Sequence, residues 1–142
     1  MRKLVLLIAV IFLWSCNPNS RGFVLPEGDV EAGKAAFVEL KCNQCHSVAD
    51  IAWIGEGEDV EVPLGGEVTR LKAYGELVTS VINPSHRIAS PYLREKVAVE
   101  GVSNMKNYNQ VMTVQELVDI VSFLQTEYEV TLPSNHYTYH YY

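Results

Sequence analysis

Cys42-Asn43-Gln44-Cys45-His46 places two thiols and an imidazole on one short turn. C-x-x-C-H is the spacing that attaches c-type haem: the two sulfurs reach the two vinyl groups of one porphyrin, and the next residue turns its imidazole to the iron. The pentapeptide points to one covalent haem c per chain, with Cys42 and Cys45 as thioether anchors and His46 as the proximal iron ligand. Two other chemistries use cysteines this close together. A disulfide oxidoreductase sets its cysteines in a βαβ context, with a thiolate at a helix N-terminus. Here an apparently helical run, Asp29 to Leu40, feeds Cys42 with no strand before it. A zinc site needs a second ligand pair, and the remaining histidines, His86, His136 and His140, stand apart from one another.

The residues before the motif read as export and tethering. Met1-Arg2-Lys3 is a short basic region, and Leu4 to Trp14 is apolar throughout but too short to span a bilayer as a helix. Residues 1–15 therefore read as a signal peptide. Leu13-Trp14-Ser15-Cys16 resembles a bacterial lipobox, which makes Cys16 the lipidated first residue of the mature chain; the alternative is ordinary signal cleavage nearby, with Cys16 left as a spare thiol. The lipobox accounts for the odd cysteine among three, since two are assigned to haem. Residues 16–28, rich in Pro, Asn, Ser and Gly, read as a tether. Localisation follows as exported and periplasmic, anchored to a membrane surface by lipid.

Cleavage removes Arg2 and Lys3. Nine basic side chains then face seventeen acidic ones, and the formal charge moves from −6 to −8. Such a surface repels phosphate, so nucleic acid is excluded as a partner, while a basic docking face on another protein is favoured. The mature length suits one domain, placed at residues 29–130. Residues 131–142 form a Tyr- and His-rich tail to which the sequence assigns no function.

Within the domain the signals are helical. Asp29 N-caps a first helix with Glu31 in its opening turn, and Gly33, Phe37 and Leu40 share one face. Val48 to Leu71 lacks periodicity and reads as a long loop. A second helix, about Tyr74 to Ile82, is expected to bury Leu77, Val78, Val81 and Ile82 before Asn83-Pro84 stops it. Thr113-Val114-Gln115-Glu116 is a capping box, with Met112 and Leu117 placed as a hydrophobic staple. The helix it opens carries Leu117, Ile120, Val121, Leu124 and Tyr128 as its apolar stripe. With no convincing strand, the fold class expected is all-α: about three main helices and loops wrapped around one covalent haem.

From Asp29 to about Tyr128 the chain resembles class I monohaem c-type cytochromes. The resemblance rests on Gly33-Lys34-Ala35-Ala36-Phe37 leading into Cys42–His46, and on Met105 followed by the capped helix through Val121-Ser122-Phe123-Leu124. It implies the small cytochrome c fold, in which Gly33 and Phe37 on the first helix cross the last helix at Phe123. It implies Met105 as the distal iron ligand, 59 positions after His46, although Lys106 stands where the family often has proline. His86 is the rival sixth ligand, and Met112 is assigned to the staple. The resemblance also implies that Pro63 supports the proximal histidine through a neighbouring carbonyl. Arg70, Tyr74 and Tyr92 carry groups able to bond haem propionates.

The function implied is electron transfer, not catalysis. One electron moves between exported or membrane-associated redox proteins through a small, transient interface. No acid–base pair or nucleophile stands beside the motif. The alternatives are a haem sensor or haem enzyme with an open distal site, and a cytochrome subunit of a larger dehydrogenase.

Overall fold

The computed structural model describes residues 25–57, 60–70, 72–88 and 91–131, with the side chains of residues 91–93 left aside. The signal peptide, Cys16 and its proposed lipid, most of the tether, and all but the first residue of the tail lie outside the described residues. Among those described, no helix is long and apolar enough to cross a membrane.

Helix α1 spans Val30–Glu39. The Asp29 carboxylate caps it by accepting from the Ala32 amide at 2.9 Å, and Asp29 itself is extended. The helix ends on Lys41, which adopts the left-handed conformation (φ 61°) that helix ends usually reserve for glycine. That turn swings the chain into the 3-10 turn Cys42–Gln44. Helix α2 is Tyr74–Ile82, stopped by Asn83 and Pro84. It buries Leu77 and half-buries Val78 and Val81, whereas Ile82, expected inside, is exposed. Helix α3 is Pro91–Val97, and helix α4 is Val114–Thr126. The capping box of α4 is complete: Thr113 Oγ1 accepts from the Glu116 amide at 3.1 Å, and Glu116 accepts from the Thr113 amide at 2.6 Å.

The all-α expectation is corrected. Among the described residues, four strands accompany the helices. β1 (Gly66–Val68) pairs in parallel with β4 (Tyr128–Val130), and β2 (Ala98–Val99) pairs antiparallel with β3 (Val102–Ser103). Among the described residues the class is mixed, with four helices rather than three. The physical reason is that each strand is two or three residues long, too short for a period-2 pattern to register. The β2–β3 hairpin closes on Glu100 and Gly101, both at positive φ, the backbone that a two-residue hairpin loop requires. The β1–β4 pairing joins distant segments through backbone groups. Gly65, at φ 82°, lies so close to the Glu127 carbonyl that a Cβ there would approach it to 2.8 Å. Tyr128, expected on the last helix's stripe, is instead the first residue of β4.

The core is the seam between α1 and α4. A Cβ on Gly33 would lie 2.0 Å from the Asp119 carbonyl oxygen, so only glycine permits this crossing. One turn on, Phe37 meets Phe123 edge to face, with ring centroids 6.0 Å apart at 67°. Val118, Ile120, Val121 and Leu124 complete the buried face of α4. Asp119 is buried at the same seam and accepts from the Asp29 amide and from Gln115 Nε2, both at 2.8 Å. A carboxylate placed there satisfies the first amide of the capped turn and ties the start of α1 to α4.

Candidate functional site

On the side of the molecule where α1 hands over to the Cys42–His46 turn lies a cavity of about 450 Å³. That volume is in the range of small-molecule and cofactor pockets, about 300–1,000 Å³. Cys42, Cys45 and His46 line it, and so does Met105. The fold thus brings together residues that the sequence holds 59 positions apart. Phe37, Leu77, Ile120 and Leu124 bring apolar surface to the wall from α1, α2 and α4, and Leu40, Val60, Val62 and Leu64 add to it from the connecting segments.

The motif turn is fixed by its own backbone. The Cys45 and His46 amides both donate to the Cys42 carbonyl, at 3.1 and 3.0 Å, so the three side chains cannot drift apart along the chain. The Cys45 carbonyl accepts from the Val62 amide at 2.8 Å, and the Ser47 carbonyl from the Leu64 amide at 2.8 Å. These bonds lay the segment before β1 against the motif. They also bring the Val62 carbonyl to 2.9 Å from His46 Nδ1. A carbonyl only accepts, so Nδ1 carries the proton and Nε2 keeps its lone pair for a metal. Burial lowers the His46 pKa, against the bond to Val62, which raises it, and the ring stays neutral. Pro63 itself is exposed and off the cavity wall. What stands near the histidine is the carbonyl of the peptide bond leading into Pro63, and a residue before proline is held extended.

Met105 sits just beyond the β2–β3 hairpin. Its amide donates to Ser103 Oγ at 3.2 Å, and the Asn104 amide donates to the Val97 carbonyl at 2.8 Å. Two further contacts draw the methionine loop onto the motif: Tyr108 Oη donates to the Leu40 carbonyl at 2.9 Å, and Lys106 Nζ reaches Gln44 Oε1 at 3.3 Å. Lys106 thus bonds a residue inside the C-x-x-C-H turn. Met112 lines the cavity as well as packing against the buried core cluster. His86, the rival ligand, is exposed on the 3-10 turn Pro84–His86 and does not line the cavity.

Both thiols are free. Burial pushes the Cys42 thiol up to about 11. That is the reverse of the lowered thiol pKa on which disulfide exchange depends, and among the described residues no βαβ unit surrounds the turn. Among the described residues there is no group of three or more His, Cys, Asp or Glu side chains able to hold a metal ion, so the motif has no partner set there for a tetrahedral zinc. A neutral imidazole nitrogen and a thioether sulfur on one apolar cavity are donors suited to a single soft or borderline metal, such as a haem iron.

Four charged residues on the wall escaped the sequence reading. Lys72, Glu76, Arg87 and Lys96 line the cavity, whereas Arg70 and Tyr74 do not, and the side chain of Tyr92 lies outside those described. No short motif links these four. The Val62 carbonyl was equally hidden, except through the resemblance at Pro63. Comparison with protein-family models, with curated proteins and with solved structures returns no match for this chain.

Proposed function

We propose that this chain is an electron-transfer protein that holds one covalent haem c, a monohaem c-type cytochrome in function. The observation that carries the reading is the meeting of Cys42, Cys45, His46 and Met105 on one cavity of about 450 Å³. Two thiols at C-x-x-C spacing serve as vinyl anchors, His46 offers Nε2, and Met105 offers sulfur from a distant loop.

When bound, the haem supplies a one-electron Fe(II)/Fe(III) couple. The chain's own residues do the rest. The Val62 carbonyl fixes the His46 tautomer and raises the basicity of its free nitrogen. Leu77, Ile120 and Leu124 keep the cavity apolar and exclude water. Tyr108 and Lys106 hold the methionine loop against the motif turn. Cys45 is exposed, so one edge of the attachment site stays open to solvent, which suits electron exchange through a transient contact. The apolar N-terminal segment and Cys16 support an exported chain, held at a periplasmic membrane surface by lipid. The partners are redox proteins, and the chain is not an enzyme.

A pyridine haemochrome spectrum with intact mass on the exported protein tests this reading. The expected result is one haem per chain, retained through acid–acetone extraction, with acylation at Cys16. A colourless mature product, made with working maturation machinery, overturns it.

A further inference from the structure

Glu76 is the centre of a charge cluster on the cavity wall that the proposed function has not used. Its carboxylate, with a side chain 19 % exposed, meets three cations: Arg70 at 3.1 Å, Lys72 at 3.8 Å, and Arg87 in closer contact still. Arg70 bonds both oxygens and Arg87 reaches the same Oε1 that Lys72 approaches. Three positive charges around one negative charge leave a surplus of two. Lys96, also on the wall, adds to it. This is a local excess of positive charge in a chain whose formal charge is −6. The Arg70, Arg87 and Lys72 side chains are 67 %, 63 % and 38 % exposed, so their charges stay open to a further anion, and a single carboxylate does not balance them.

We infer that Lys72, Arg87 and Lys96 form a seat for two carboxylates of the cavity's occupant, with Glu76 holding Arg70, Lys72 and Arg87 in place by its own charge. The chemistry recognised is a pair of carboxylates on an otherwise apolar body. The wall has the same character: apolar over most of its area, with Lys72, Arg87 and Lys96 as its cations. Lys72, Arg87 and Lys96 come from three separate stretches of chain, so only the folded cavity assembles the seat. On the haem reading, on which this inference rests, the two carboxylates are the propionates, and the seat fixes which way round the group enters. Arg87 is the residue best suited to bond a carboxylate with two parallel N–H groups.

The test compares Arg87→Gln combined with Lys72→Gln, and separately Glu76→Gln, with the parent protein. Haem content by pyridine haemochrome is read first, then the midpoint potential from pH 5 to 8. The double variant is expected to keep its covalent haem and to show a lower midpoint potential, because lost positive charge favours Fe(III). Its potential is also expected to become pH-dependent in that range as a freed propionate begins to titrate. Glu76→Gln is expected to shift the potential upward. Covalent haem with an unmoved potential and a flat pH profile in both variants overturns the seat while leaving the haem reading intact. Absence of haem in the parent protein overturns the haem reading itself. Inorganic phosphate, added to the parent at constant ionic strength, is the control for a free dianion. A phosphate-induced shift in potential overturns the assignment to the occupant's own carboxylates.

Discussion

Replacing Gly33 with alanine sets two opposed effects against each other at one atom. In a helix interior alanine is favoured over glycine by roughly 0.8–1 kcal/mol, so an unhindered site gains stability. At Gly33 the new methyl carbon would sit 2.0 Å from the Asp119 carbonyl oxygen and 2.4 Å from its carbon. Ordinary contact begins at 3.4 Å, so the helices must separate by about 1.4 Å, and the obstacle is backbone that cannot rotate aside. A gap of 0.5–1 Å already forfeits about a quarter to a half of each van der Waals well. Phe37, Phe123, Val118 and Val121, all buried at this seam, share that loss. Overpacking of this kind costs about 1–3 kcal/mol and sometimes more. Taking the upper value and subtracting the helix gain leaves a net loss of about 2 kcal/mol, or a fall of ~8–16 °C in Tm for a domain of this size. Urea unfolding followed by far-UV circular dichroism reads it, with Ala35→Gly on the exposed face of α1 as a control expected to lose about 1 kcal/mol. If Gly33→Ala comes out more stable than the parent, the close crossing of α1 and α4 is refuted.

The capping box gives a second outcome: Thr113→Ala should lose about 1 kcal/mol in the same unfolding assay. Bonds from Thr113 hold the Glu116 carboxyl below its ordinary value of 4.5. A depressed folded-state pKa means that the contribution is complete above 4.5 and fades as pH falls through the lowered value. The gap in urea midpoint between the parent and Glu116→Gln should therefore be steady at neutral pH and close in acid; a gap that widens in acid contradicts the sign. Lys41→Gly should gain roughly 0.5–1 kcal/mol, because glycine removes the cost of a left-handed side chain, less its own entropy in the unfolded chain. On the proposed haem reading, Met105→Ala should abolish a far-red iron–sulfur band, lower the midpoint potential and let carbon monoxide bind the reduced protein rapidly. An unchanged spectrum removes Met105 from the iron.

Local chemistry made the helices legible. Asp29 and Thr113 announce helix starts with side chains that answer amides three residues away, and Pro84 stops α2 where its ring must. Gly33, Phe37 and Phe123 were readable through the resemblance, and the crossing explains the need for each. Strands β1 and β4 were not readable, since Gly66 and Tyr128 pair through backbone groups that leave no mark on side-chain pattern. Helix α3, seven residues long, covers fewer than two full turns, too few for a stripe to repeat. At the site, the C-x-x-C-H spacing is contiguous and therefore visible. The wall charges Lys72, Glu76, Arg87 and Lys96 are scattered, and only folding gathers them.

The pairing of Gly66–Val68 with Tyr128–Val130, together with Gly33 against Asp119, means that the early half of the domain is finished by its late half. A fragment truncated before Thr113 keeps the Cys42–His46 pentapeptide but leaves Phe37 without its ring partner and β1 without a neighbour. Such a fragment has thiols and imidazole in the right order but only part of a vessel around them. Closure of the domain therefore waits on one late stretch, the helix Val114–Thr126 and the strand Tyr128–Val130.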